Sequence, residues 1–333
     1  MNELRRRQIV IASGVFLCAS GRSVAQQTAR VYRIGILQAS PSSASQFRSN
    51  GGWAAFIERL AIHGYIEGQN LQIEVRSTEG KMERLPELAA ELVTLKPDVL
   101  TAITNPPVLA LQRATNTIPI VMMGHESVAL GLVASLARPG GNITGMDGVA
   151  PELEPKRLQI LHELAPRTAR IAALYNPTAD PAMRLHFGQV EDAARKLGIE
   201  VRPFEVRRNE DFESVFAALV RERSDGLIAF TDSLIVVNGR RIADFARESK
   251  LPSIFEFSIF VDFGGLASYG TNLLYFYKRA ADFVHRILGG AKPDNLPVEF
   301  PTTFEMVVNL KTARSLGLMV SPLMQLRADR LVQ

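Results

Sequence analysis

The sequence predicts an α/β protein of two Rossmann-like lobes, each built on a parallel sheet, joined by a hinge that the chain crosses three times. Three observations carry this expectation. From Val31 onward, short β-branched runs alternate with longer amphipathic stretches, the pattern of βαβ units around a mostly parallel sheet. The alternation falls into two series separated by Arg138-Pro139-Gly140-Gly141-Asn142, a cluster too rich in turn formers to lie inside a helix or strand. A strand, helix, strand, helix coda follows the second series and implies returns to both sheets, with crossings near residues 145, 270 and 300. The expected division is 31–145 plus 271–298 for the first lobe and 146–270 plus 299–333 for the second. With 333 residues, 47% hydrophobic and 22% charged, the chain is long enough for two domains of common size.

The elements follow in order. Tyr32 to Leu37 reads as the first strand. Gly52 to His63 carries Trp53, Phe56, Ile57 and Leu60 at helical spacing, and Gly64 ends it; His63 beside that glycine suits a helix C-terminus. The cycle repeats with strand Leu71 to Val75, helix Glu83 to Leu95, strand Asp98 to Ile103, helix Val108 to Ala114 and strand Ile118 to Met123. The second series runs through helix Glu154 to Leu164, strand Arg170 to Tyr175, helix Met183 to Leu197 and strand Ile199 to Val206. It continues with helix Phe212 to Glu222, strand Gly226 to Phe230, helix Gly239 to Ser249 and strand Ser253 to Phe255. The coda is strand Leu266 to Tyr269, helix Leu273 to Leu288 ending at Gly289-Gly290, strand Phe304 to Val308 and helix Leu310 to Leu316. Trp53 belongs to the expected first-lobe core.

The N-terminus reads as an address. Arg5, Arg6 and Arg7 precede an apolar run from Ile9 to Ala19, and Ser23-Val24-Ala25 offers small residues for signal peptidase, so residues 1–25 are expected to be a signal peptide cleaved after Ala25. The run is about half of the ~20 residues that a membrane span requires. The paired arginines leave both the general and the twin-arginine export routes open. Cys18, the single cysteine, lies in this leader, which leaves a processed chain without disulfides or cysteine metal sites. Leu17 before it argues against lipidation. The first 25 residues also carry four arginines against one glutamate, most of the formal +4. That removes the compositional argument for a nucleic-acid partner, because a phosphate-binding face has to survive processing.

Several segments resemble one family. They are Gly64-Tyr65-Ile66-Glu67-Gly68-Gln69-Asn70, Leu88-Ala89-Ala90-Glu91-Leu92-Val93 and Lys96-Pro97-Asp98-Val99. The most specific is Gly131-Leu132-Val133-Ala134-Ser135-Leu136-Ala137-Arg138-Pro139-Gly140-Gly141-Asn142-Ile143-Thr144-Gly145. Later come Tyr175-Asn176-Pro177, Gly264-Gly265-Leu266-Ala267-Ser268-Tyr269-Gly270, Gly289-Gly290-Ala291-Lys292-Pro293, Leu296-Pro297-Val298-Glu299 and Asn309-Leu310-Lys311-Thr312-Ala313. Together they resemble bacterial ABC transporter substrate-binding proteins of the tryptophan/tyrosine-type group, across nearly the whole chain after the leader. The resemblance implies the type I periplasmic-binding fold and a periplasmic, monomeric protein. It further implies closure of the hinge on an amino acid or related carboxylate, and an ABC permease as membrane partner. One departure stands out: His125-Glu126-Ser127-Val128 replaces the acidic residue and proline that the family carries there, so the family's ligands do not transfer directly.

In open parallel sheets, ligands bind beyond the carboxyl ends of the strands. That rule selects Gln38, Ser40, Ser42, Ser43, Asn105, His125 and Glu126 in the first lobe. In the second it selects Tyr175, Asn176, Thr231, Asp232, Glu256 and Phe257. Serines can donate to an anion and Glu126 or Asp232 can hold an ammonium group, while Tyr175 and Phe257 could stack on a flat side chain. The bland readings stand beside these: loop or cap serines, Asn105 as a helix initiator, Thr231 and Asp232 as a helix cap, and Tyr269 as packing at a crossing.

No Gly-x-Ser-x-Gly elbow, His-Glu-x-x-His or phosphate loop is present, and His63, His125, His162, His186 and His285 lack metal-ligand spacing. No catalytic residue, metal or cofactor is therefore expected. A ligand sensor for a membrane receptor, an exported α/β enzyme and a regulator of the same fold are the alternatives. The regulator is weakest, since a leader stands where a helix-turn-helix would be.

Overall fold

A computed structural model describes residues 30–40, 43–49, 51–148, 153–177 and 183–333. The expected signal peptide, Cys18, Ser42 and the loop through Asp180 lie outside the described residues. From Val31 to Gln333 the chain forms one body that holds two sheets.

The first sheet is made by β1 (Tyr32–Gln38), β2 (Leu71–Ser77), β3 (Val99–Ile103), β4 (Ile120–Gly124) and β5 (Ile143–Asp147), in the order β2-β1-β3-β4-β5 and parallel throughout. Three helices connect the first four strands: α1 (Gly51–Ile62), α2 (Leu85–Thr94) and α3 (Asn105–Ala114). Strand β5 was not expected, and its presence moves the lobe junction. The turn cluster Arg138 to Asn142 joins β4 to β5 inside the first lobe, and the chain leaves that sheet only after Asp147. The segment is hard to see because Thr144, Gly145 and Asp147 leave only Ile143 and Met146 as apolar residues in the pentapeptide. Gly145 adopts φ +134°, where a Cβ would strike the Met122 carbonyl of β4.

The second half begins with α4 (Leu153–Leu164), β6 (Arg170–Tyr175), α5 (Met183–Leu197), β7 (Glu200–Glu205), α6 (Asp211–Arg221) and β8 (Gly226–Ala229). It continues with α7 (Ser233–Val237), α8 (Gly239–Glu248), β9 (Ser253–Phe255), α9 (Ile259–Asp262), β10 (Ala267–Gly270) and α10 (Leu273–Leu288). β11 (Glu305–Asn309), α11 (Leu310–Ser315), α12 (Pro322–Arg327) and β12 (Arg330–Val332) complete it. The sheet order is β12-β11-β10-β9-β8-β6-β7. Its β7-β6-β8-β9-β10 portion repeats the topology of the first sheet, without a sequence repeat.

The second sheet is mostly but not wholly parallel: β11 runs antiparallel to β10, and β12 runs alongside β11. The reason is topological. β10 leaves the second sheet at its carboxyl end, and α10 covers the first sheet, packing on α1, β4 and β5. The chain comes back beside that same end, after Glu299 pairs with Met146, so β11 has to run the other way.

Each sheet buries apolar side chains on both faces, as expected of doubly wound units. In the first lobe, Trp53 and Phe56 of α1 meet Tyr277 and Phe283 of α10; the Trp53 and Tyr277 rings pack edge to face at 4.9 Å. Gly52 permits this approach, because a Cβ there would overlap the Tyr277 ring.

Candidate functional site

The order β2-β1-β3-β4-β5 reverses direction between β1 and β3, and β7-β6-β8-β9-β10 does so between β6 and β8. These are the switch points at which open α/β sheets bind ligands. The loops at the carboxyl ends of both sheets meet there: the Thr104 hydroxyl, after β3, touches the Ser233 hydroxyl at the start of α7. Thr104 holds φ +68° and ψ 159°, a region that β-branched residues avoid, so backbone strain sits at the contact between lobes.

On the first-lobe side, Gln38 is buried at the end of β1, and its Nε2 has no hydrogen-bond partner among the described residues. Ser40 uses its carbonyl to accept from the Gly80 N–H at 3.0 Å, and the Ser43 and Ser45 hydroxyls pair at 2.8 Å. Asn105 is fully buried, and its Oδ1 accepts from the His125 N–H at 3.0 Å. Gly124 is required there, since a Cβ would lie 2.8 Å from that oxygen. The His125-Glu126-Ser127 segment is a tight turn with Glu126 at φ +53°. Asp147 organises it, accepting from the Glu126 N–H at 3.0 Å and from the Ser127 N–H at 2.8 Å, with a further bond from the Ser127 hydroxyl. Burial pushes the Asp147 carboxyl up, and the Ser127 bonds pull it back.

On the second-lobe side, Asn176 after β6 donates from Nδ2 to Asp232 Oδ2 at 2.7 Å, bridging the switch point. Asp232 caps α7 by accepting from the Ile235 N–H at 2.7 Å. Burial raises its carboxyl to about 6, while hydrogen bonds from Ile235 and Asn176 and the charge of His125 across the cleft oppose the rise. Thr231 is half-buried beside it. Tyr175 donates to Glu205 at 3.0 Å and packs on Phe187 and Phe230, and Phe257 lies in the second-lobe core, so both aromatic candidates pack within their own lobe. A hollow of ≈ 350 Å³ opens between the lobes, floored by Ser40, Thr78 and Gly80 on one side and by Ser233 and Leu234 on the other.

Glu256, after β9, belongs to a group that sequence reasoning did not assemble. It is buried 3.7 Å from Arg157 Nη2, and Arg157 also bonds Glu154 and donates from Nε to the Tyr269 carbonyl at 2.7 Å. Arg157 is 0% exposed, and Glu154 and Glu256 are nearly as deep. Burial opposes its charge, yet the two carboxylates hold the guanidinium above its ordinary value. A signal existed: Glu154 and Arg157 fall on the same stripe of α4 as Leu158, Leu161 and Leu164, where a solvent-facing ion pair would not sit. Among the described residues, no group of three His, Cys, Asp or Glu is placed to hold a metal, and no helix is long and apolar enough to cross a membrane.

Residues 47–332 match the family model described as ABC transporter substrate binding protein. A tyrosine-binding protein of Clostridioides difficile is 28% identical over 264 residues, 79% of this chain and 75% of the relative. Among solved structures, an ABC domain from Streptococcus pneumonia in complex with L-Trp superposes with a TM-score of 0.81 at 24% identity. The ligand-free, open structure of a substrate-binding protein with adhesive properties from Clostridium difficile gives 0.63 at 25% identity. Both alignments cover 91% of this chain and 100% of the other.

Proposed function

Given that the chain belongs to the ABC transporter substrate-binding protein family, we propose that it captures a small organic ligand, an amino acid or related carboxylate, between its lobes. The hinge closes on this ligand, and the closed form delivers it to an ABC permease outside the cytoplasmic membrane. The ligand leaves chemically unchanged.

One observation carries the reading. At equal coverage and nearly equal identity, the chain superposes far better on the neighbour solved with L-Trp than on the neighbour solved open and ligand-free, 0.81 against 0.63. Sequence divergence is nearly the same in the two comparisons, and a rotation of one lobe against the other would produce such a gap. The Thr104 and Ser233 contact across the cleft agrees with a closed arrangement. Closure requires a ligand with higher affinity for the closed state than for the open one, so both lobes have to contribute contacts.

The test is a thermal-shift screen of the purified protein against amino acids, aromatic acids and nucleosides. A ligand at 100 times its Kd stabilises the folded state by about 2.7 kcal/mol, a shift of several degrees. L-Tyrosine, L-tryptophan or a near analogue is expected to raise the melting temperature; a screen in which no amino acid or aromatic acid does so refutes the proposal.

A further inference from the structure

We propose that Glu154, Arg157 and Glu256 form the subsite that reads the charged headgroup of the ligand, with the carboxylates receiving an α-ammonium group and Arg157 Nη2 a carboxylate oxygen. This rests on the reading of the cleft as an amino-acid site and adds the ligand class and the residues that select it.

The cluster is built and buried, but not closed upon itself. Two carboxylates surround one guanidinium at 3% exposure or less, so the group carries one net negative charge where water does not reach. Among the described residues, Arg157 Nη2, Glu154 Oε2 and Glu256 Oε2 have no hydrogen-bond partner. Buried polar atoms are satisfied almost without exception, and an uncompensated buried charge is costly. An ammonium group supplies the missing charge and three donors; a carboxylate beside it supplies acceptors for the guanidinium. A zwitterion answers the whole set, and a simple aromatic acid answers only part.

The position fits. Gly270 ends β10 so close to Glu256 that a Cβ would lie 2.5 Å from the Glu256 carbonyl and 2.9 Å from its Cγ. Arg157 reaches the Tyr269 carbonyl in the same strand. Glu154, Arg157 and Glu256 therefore gather at the carboxyl ends of β9 and β10, where the chain leaves the second lobe for the first. A headgroup held there bears on the connection that has to bend for the lobes to close, which ties recognition to closure. Asp232, the other acidic candidate of this lobe, has both oxygens engaged by Asn176 and its own helix.

The experiment is calorimetric titration with L-tyrosine, L-tryptophan, tyramine and 3-(4-hydroxyphenyl)propanoate on the wild type and on Glu256→Gln and Glu154→Gln, with each variant's fold checked by circular dichroism. The wild type is expected to prefer L-tyrosine or L-tryptophan over the propanoate by about 10- to 100-fold, the scale of one charged hydrogen bond. In Glu256→Gln the preference is expected to shrink to a few-fold through weaker amino-acid binding, with the propanoate little changed. Wild-type protein that binds the propanoate as well as the amino acids overturns the inference and leaves the proposed function standing, a comparison that needs no variant. An undiminished preference in both folded variants also overturns it. Protein that binds neither amino acids nor aromatic acids removes the proposed function, and this subsite with it.

Discussion

The two lobes share one strand order and finish their facing edges differently. At the end of β4, the first lobe makes a turn from His125 to Ser127 whose N–H groups are taken by Asn105 and Asp147. At the end of β9, the corresponding place in the second lobe, Glu256 faces a buried guanidinium and leaves hydrogen-bonding capacity unused. Topology puts a loop at each position, and the local placement of charge decides what that loop does. At this position the first lobe spends its polar groups on holding its own backbone, and the second keeps some back for something else.

The contrast can be broken most severely at Arg157. Arg157→Met leaves two buried carboxylates without their cation, and urea denaturation is expected to show a loss of about 3 to 5 kcal/mol. A loss below about 1 kcal/mol would mean that the cluster is hydrated and the contrast is false. Next is the backbone of the first lobe. Gly145→Ala forces a side chain against Met122 at a positive φ and is expected to cost about 2 to 3 kcal/mol; an unchanged melt would show that β5 yields freely.

Asp232 sharpens the comparison through pH. Its carboxyl is raised from 3.8 to about 6 in the folded state, so the folded form binds the extra proton between those values and stability falls as pH rises through that window. Asp232→Asn keeps a capping side chain and removes the titration. It should flatten a slope of roughly 1 kcal/mol per pH unit between pH 4 and 6, read from urea melts at several pH values, and an identical slope would contradict the assignment. Thr104→Val keeps the β-branch but loses the hydroxyl that meets Ser233, and is expected to weaken ligand binding a few-fold by calorimetry without lowering stability. The smallest effect belongs to a half-exposed pair in the first lobe. Arg59 bonds Asp282 at 2.6 Å with its side chain 36% exposed, and Arg59→Ala should cost under about 1 kcal/mol. A loss matching that of Arg157→Met would erase the distinction between buried and screened charge.

Much of the fold was legible because period and punctuation agreed. Arg170 to Tyr175, Met183 to Leu197 and Leu273 to Leu288 keep their expected bounds in the structure, since the first carries a short unbroken apolar run, the other two hold one helical period, and each has a turn residue at its edge. β5 escaped because its glycine serves close strand packing and its aspartate serves a neighbouring loop, reasons that exist only in three dimensions. The short helices α7 and α9 escaped because a single turn has no measurable period. The site divides the same way. The rule of carboxyl ends found Gln38, Asn105, His125, Asn176, Asp232 and Glu256 as residues of the facing edges, yet the partners of Glu256 lie on α4, outside any loop the rule selects. The ion pair was legible only through its place on the apolar stripe of α4, beside Leu158, Leu161 and Leu164.

Small-angle scattering on the purified protein, without ligand and saturated with whichever amino acid raises its melting temperature, bears most directly on the central claim. The account predicts a smaller radius of gyration in the saturated sample, with its curve fitted by the structure described above and the free sample fitted only by a more open one. Superimposable curves from free and demonstrably liganded protein would contradict it.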